Sequence, residues 1–227
     1  VTTPRTLEPR EPERYAARTA PVTPVWYAAY GSNMHPERLG HYLTGGRPPG
    51  GRHDHPGCRD PRRPARSAPV VLRGRLYFAT ESALWTGGRA FYDADADGEL
   101  PAHAYLLTLS QFSDIAAQEM HRAPSGDLDL TPALTRGHAR LGPGRYETLV
   151  CPGLLDGHPV LTFTAPWRST DVPPNPPAPA YLRHIAAGII AAHGWTRQRT
   201  AEYLATCPGV NARWSVPEIV ALLGLAQ

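Results

Sequence analysis

An apolar, aromatic run that stops abruptly at three turn-forming residues constrains this chain most: Val25-Trp-Tyr-Ala-Ala-Tyr30, then Gly31-Ser32-Asn33. The run has the composition of a buried strand. Gly, Ser and Asn let a backbone bend sharply and leave N–H groups that no ladder takes up. A helix-forming stretch from His35 to Leu43 follows, so the bend joins the carboxyl end of a strand to a helix. N–H groups placed there form a small nest for an anionic oxygen. A lone Gly-Ser-Asn is also an ordinary polar turn, so the choice between the two readings rests on the rest of the chain.

The 227 residues suffice for one domain with appendages. A hydrophobic fraction of 41% gives a core, while 26 Pro and 21 Gly imply much loop or extended chain. A formal charge of +3 is too small to argue for nucleic acid. The arginine cluster between Arg59 and Arg75 is interleaved with proline, not with aromatic platforms that stack bases. All 23 Lys and Arg positions are arginine. Without lysine, Schiff-base and P-loop chemistry is excluded. The Arg, Ala, Pro and Gly bias, with an initial Val, suggests a GC-rich bacterial gene. Cys58, Cys151 and Cys207 are far apart and lack metal spacing, which reads as reduced cytosolic thiols. Neither a signal peptide nor an apolar run of membrane-spanning length is evident, so a soluble, cytoplasmic protein with no membrane partner is expected.

Residues 1–24 are rich in Pro, Arg, Glu and Thr and read as a flexible arm. Residues 45–68 form a second stretch of low hydrophobicity, with His53, His55 and Cys58 as soft side chains but no second ligand cluster, which favours a loop over a metal site. Val70 to Thr80 has strand composition; Trp85-Thr-Gly-Gly-Arg-Ala90 follows, and paired glycines in such a context mark a bulge or a close approach of backbone or ligand. Asp93 to Glu99 reads as a hairpin tip rather than a calcium loop. Ala102 to Leu109 is a strand, and Ser110 is a plausible N-cap for the helix that runs to Met120. Residues 121–144 form a polar insertion with a short helix near 132–140, and Asp156-Gly157 turns a hairpin between Tyr146–Val150 and Pro159–Thr164. A proline-rich connector, Pro173 to Pro179, leads to an amphipathic helix ended by Gly194, and helical segments at Arg197–Thr206 and Pro217–Leu223 close the chain.

In the helix after Ser110, Phe112, Ile115, Ala116 and Glu119 recur at spacings of three and four and share one face. A carboxylate on an apolar stripe is costly unless paired or functional. Pairing with Arg122 at the helix end is the bland reading, and periodicity alone does not displace it.

Five elements in order resemble the γ-glutamylcyclotransferase-like superfamily over about Val25 to Trp195. They are Tyr30-Gly31-Ser32-Asn33; Trp85 with Gly87, Gly88 and Ala90; the Gln118-Glu119 pair; Gly144 and Tyr146; and the connector from Pro176 to Tyr181. The resemblance implies an α+β fold, a small mixed β-barrel with surrounding helices and one pocket at its mouth. It covers residues 25–195, with insertions at 45–68 and 121–144, and leaves 196–227 as an extra helical extension. It further implies Glu119 as the catalytic acid and base. Tyr30, Gly31, Ser32, Asn33, Met34, Gly87, Gly88, Tyr146 and Tyr181 are then the substrate-binding residues. No metal and no cofactor is required. The expected partner is a small γ-glutamyl amine or amino-acid derivative, cleaved by a lyase reaction to 5-oxoproline and a free amine. An amidase or acyl transferase using the same pocket, and a binding module that leaves its ligand intact, are the alternatives. The insertion between Glu119 and Tyr146 is longer than in compact relatives, so the wall facing the leaving group is expected to differ.

Overall fold

In a computed structural model, which describes residues 3–15, 23–48 and 54–224, the expected first strand is flanked by pairing on both sides. The elements in chain order are β1 (Arg5–Thr6), α1 (Pro12–Tyr15), β2 (Pro24–Ala29), α2 (Pro36–Thr44), β3 (Arg66–Arg73), β4 (Arg75–Ala79), β5 (Arg89–Asp93) and β6 (Glu99–Thr108). Then come α3 (Leu109–Glu119), α4 (Thr131–Arg136), β7 (His138–Arg140), β8 (Thr148–Leu155), β9 (His158–Thr164), α5 (Pro179–His193), α6 (Arg197–Thr206) and α7 (Val216–Gly224). A single 3-10 turn, Ser32–Met34, connects β2 to α2.

Seven strands form one mixed sheet in the order β1-β3-β6-β2-β9-β8-β7. β2 runs antiparallel to β6 and parallel to β9, so it is central, and Val25 to Ala29 are all buried. Burial on both faces is why the run is continuously apolar instead of alternating. Trp26 is fully enclosed, and its indole N–H donates to the Leu155 carbonyl at 2.9 Å. α3 packs on β2 and β6, and α5 on β3 and β6.

The class is α+β, as expected; the strand order is open, and among the described residues its two sides are linked through the arm, which pairs with β3 and, by the isolated bridge at Glu8, with β8. β4 and β5 form a separate two-stranded ribbon. The single strand expected over Val70–Thr80 breaks at Gly74, where φ is 123 and a Cβ would meet the Asp93 carbonyl at 2.4 Å. The ribbon is stitched back to the sheet by a side chain: Thr164 Oγ1 accepts from the Tyr92 N–H at 3.0 Å and donates to the Tyr92 carbonyl at 2.7 Å.

In the arm, expected to be flexible, residues 5–8 pair with the sheet and α1 packs on α4. β1 pairs in parallel with Val70 and Val71 of β3, while Glu8 and Leu154 of β8 exchange two backbone bonds of 2.9 Å. Arg5 and Arg66 both pair with Asp156 in the β8–β9 turn. Composition misleads here because an edge strand is held by its backbone groups and needs little apolar surface.

Two boundaries also move. The N-cap of α3 is Thr108, not Ser110: its hydroxyl accepts from the Gln111 N–H, and the Gln111 side chain accepts from the Thr108 N–H, a full capping box. The 121–144 insertion is more than loop, because β7 pairs with β8 and extends the sheet. No helix of the described residues is long and apolar enough to cross a membrane.

Candidate active site

β2 delivers the chain to the turn, and the structure secures that turn from the protein side. Tyr30 donates its hydroxyl to the Phe163 carbonyl of β9 at 2.9 Å. The Met34 carbonyl accepts from Tyr105 Oη at 2.7 Å and from His103 Nδ1 at 2.9 Å, and the Ser32 carbonyl faces His184 Nε2 at 3.2 Å. Met34 N–H closes the turn on the Gly31 carbonyl at 3.1 Å. The N–H groups of Gly31, Ser32 and Asn33 meet no backbone carbonyl among the described residues, so they remain free donors. Gly31 has φ −107, outside the left-handed region, so the bend does not depend on glycine's positive-φ freedom.

α3 delivers the carboxylate. Glu119 is its last residue and is half-buried, while Phe112, Ile115 and Ala116 on the same stripe are fully buried. Asn33 Nδ2 donates to Glu119 Oε1 at 3.0 Å and reaches Tyr27 Oη at 3.3 Å. One buried amide thus links the turn to the acid. Arg122, the partner that the bland reading assigned to Glu119, pairs with Glu147 instead. Asn33 Oδ1 is buried with no partner among the described residues, an acceptor awaiting a donor.

Phenols surround this carboxylate. Burial pushes Tyr27, Tyr30, Tyr42 and Tyr146 well above the ordinary phenol value, and Tyr181 up to about 12. The negative charge of Glu119 adds to each of these shifts. All five therefore stay protonated at neutral pH and act as donors or neutral walls.

Two cavities meet at Glu119. The inner recess, about 50 Å³, is lined by the Tyr30–Asn33 turn, Glu119 and a wall of Tyr27, Tyr146, Phe163 and Tyr181. The outer vestibule, about 720 Å³, is bounded by α2, the Ser82–Trp85 loop and the segment after α3. Ser32, Glu119, Tyr146 and Tyr181 belong to both walls. The acid stands at the doorway.

Tyr30, Gly31, Ser32, Asn33, Glu119, Tyr146 and Tyr181 therefore come together. Met34, Gly87 and Gly88 line neither cavity. Met34 is buried beneath the turn, and Gly188 of α5 makes room for it, since a Cβ there would meet Met34 Cβ at 2.9 Å. Gly87 and Gly88 serve backbone packing against the connector. Gly88 N–H donates to the Pro176 carbonyl at 2.8 Å, and a Cβ on Gly88 would meet the Asn175 carbonyl at 1.9 Å. Their neighbour Trp85 does line the vestibule and stacks on Tyr181 and His184 at 5.2 and 5.5 Å.

Of the soft side chains near the 45–68 stretch, His53 lies outside the described residues. His55 packs on Tyr42 with ring centres 4.0 Å apart, and Cys58 donates to the Tyr42 carbonyl at 3.3 Å. Burial pushes Cys58 up to about 12, Cys207 to about 12 and Cys151 to about 11, so each stays a thiol. Among the described residues no group of three His, Cys, Asp or Glu converges to hold a metal ion.

Sequence reasoning missed Tyr27, Tyr42, Phe163 and the vestibule arginines Arg38, Arg89 and Arg145, and gave Arg122 only as a partner for Glu119. Arg89 lay inside the Trp85–Ala90 element as an unassigned position, and Tyr27 inside the first strand. The others carried no local signal.

The fold and site together define an α+β domain in which a half-buried acid at a helix end lines the same recess as the strand–helix turn that follows β2. No family model matches the chain. It is 29% identical over 198 residues to Histone deacetylase 5 of Arabidopsis thaliana, covering 79% of this chain; the chain spans about 30% of that relative's length. Among solved structures it is similar to a gamma-glutamyl cyclotransferase (15% identity, 87% of this chain and 98% of that chain, TM-score 0.45). It is also similar to an uncharacterized protein from Homo sapiens (17% identity, the same 87% and 98% coverage, TM-score 0.46).

Proposed function

We propose that this protein is a cyclotransferase that cleaves a γ-glutamyl, or similar acyl, amide and releases 5-oxoproline and a free amine. The observation that carries the reading is the Asn33 bridge, which fixes Glu119 beside the unclaimed N–H groups of the Gly31–Asn33 turn.

The substrate brings its own nucleophile. Glu119 takes a proton from the α-ammonium, and the resulting amine attacks the side-chain carbonyl carbon to form the five-membered ring. The carbonyl oxygen becomes an oxyanion, to which the turn N–H groups donate hydrogen bonds. Glu119 then gives its proton to the amide nitrogen, the C–N bond breaks, and the freed carboxylate passes the remaining extra proton of the ring nitrogen to the amine, which leaves as an ammonium. No water is consumed and the carboxylate ends as it began. Holding the two reacting atoms together accounts for up to about 7–11 kcal/mol of the barrier. The proton relay contributes on the order of 10²- to 10⁴-fold, and each oxyanion donor about 10²- to 10³-fold. Asn33 Oδ1 offers the ammonium a ready acceptor.

A second reading, hydrolysis of the acyl amide by water, draws on the name of the Arabidopsis relative, a deacetylase. Product analysis separates the two. Incubation with γ-glutamyl amines should give 5-oxoproline with no oxygen from labelled water; glutamate carrying the label would favour hydrolysis. Tight binding with no product from any of them would make the site a binding module.

A further inference from the structure

The vestibule holds more positive charge than the protein neutralises. Arg38 of α2, Arg89 at the start of β5 and Arg145 line it together. Of the other charged lining residues, Arg122 and Asp54 are matched, by Glu147 and Arg47 respectively, and Glu119 brings one negative charge against the three arginines. Arg38, Arg89 and Arg145 make no ion pair with any described residue, Glu119 included. Arg38 Nε and Arg89 Nε are each buried with no acceptor. Arg38 rests over the Trp85 ring, 5.9 Å from its centre, which leaves its donors unused. Burial, and then the like charge of Arg145, hold Arg89 below the ordinary guanidinium value, so those two lie close enough to repel.

Guanidinium groups stay charged when buried, so the half-buried Arg38 and Arg89, each with an unpartnered Nε, and the exposed Arg145 beside them favour an entering anion. A single carboxylate engages one guanidinium fork and would leave others unmatched. Resting on the cyclotransferase reading, we infer that the leaving amine carries a group with at least two negative charges, a phosphate monoester or a pair of carboxylates, which Arg38, Arg89 and Arg145 hold in the vestibule. The γ-glutamyl part enters the recess, its amide lies at the Glu119 doorway, and the charged appendage stays outside.

The test uses full-length Glu119→Gln protein, so that binding is read without turnover. Calorimetry compares γ-glutamyl-ethanolamine, γ-glutamyl-glycine, γ-glutamyl-aspartate and γ-glutamyl-O-phosphoethanolamine, whose appendages carry zero, one, two and nearly two negative charges. Affinity should rise at least tenfold from the singly to the doubly charged probes. Arg89→Met and Arg145→Met should each remove most of that step and leave the neutral probe within about twofold. The aspartate and phosphate arms tell which doubly charged group fits. Inorganic phosphate, titrated against wild-type protein and both variants, repeats the test without the acyl group: arginine-dependent binding supports the inference. Doubly charged probes that bind no tighter than γ-glutamyl-glycine, or a step that survives both substitutions, overturns it. Wild-type protein supplies the separate readout. An arginine-dependent step with no 5-oxoproline from any probe sinks the reaction and keeps the anion site. 5-Oxoproline release without the step does the reverse.

Discussion

The recess and the vestibule share a wall and differ in nearly everything else. The recess is made from ends of regular elements: the end of β2, Phe163 near the end of β9 and the last residue of α3. Two of its phenols are tied to the backbone, Tyr30 to the Phe163 carbonyl and Tyr146 to the Ala90 carbonyl at 3.1 Å. The vestibule is made mainly of α2 and loops, and its arginines Arg38, Arg89 and Arg145 make no ion pair with a described residue. On the proposed reading this is a division of labour: chemistry is placed where strand and helix ends fix atoms, and selection where loop side chains meet solvent.

Substitutions that act on only one side of the doorway sharpen this contrast. Glu119→Gln keeps the Asn33 contact but cannot carry a proton, so 5-oxoproline release should fall about 10²- to 10⁴-fold with the melting temperature within a few degrees. A kcat within tenfold of wild type would move the proton relay elsewhere. Gly88→Ala drives a methyl into the Asn175 carbonyl. It should cost about 3 kcal/mol, a drop of roughly 6–12 °C in melting temperature, because the connector cannot yield easily. An unchanged melting temperature would return Gly88 to a role in ligand binding. Asn33→Ala removes the amide that orients Glu119, and kcat should fall roughly tenfold or more while KM changes little. A fall confined to KM would make Asn33 a binding group only.

Milder effects should separate the two compartments by charge and by pH. Raising salt from 0.05 to about 0.5 M should weaken binding of doubly charged probes several-fold and leave the neutral probe unchanged, since the vestibule is open and screened. Acid should act on the support of the turn. Burial, with the neighbouring His35, holds His184 near about 4, against about 6.5 when unfolded. The unfolded chain therefore binds its proton first, so this contribution to stability is complete above about pH 6.5 and is lost as pH falls toward 4. His55, His103 and His193 are shifted down as well and add to the slope. Urea midpoints should decline from pH 7 to pH 4, less steeply in His184→Gln; identical slopes would place the acid sensitivity in the other histidines.

How legible these two compartments were in the sequence follows from the same contrast. The recess could be read because its residues lie on periodic elements. The apolar run fixed β2, the spacing of Phe112, Ile115 and Glu119 fixed one helical face, and Gly194 ended α5 as a left-handed cap. The capping residue of α3 was misplaced because Thr108 and Ser110 are both good N-caps, and only the reciprocal bonds with Gln111 decide between them. Gly87 and Gly88 were read toward a ligand because a glycine pair signals close approach without saying of what; the approaching group is the connector backbone. The arm was read as flexible because backbone pairing to an edge leaves no mark in composition. Arg38, Arg89 and Arg145 come from separate parts of the chain, and only the folded arrangement joins them.

The most direct test of the central claim is a single assay with γ-glutamyl-O-phosphoethanolamine in 18-oxygen water, wild-type protein beside Glu119→Gln. The account predicts unlabelled 5-oxoproline and phosphoethanolamine in equal amounts from wild type and at least a hundredfold less from the variant. Labelled glutamate, or equal turnover by the two proteins, would contradict it.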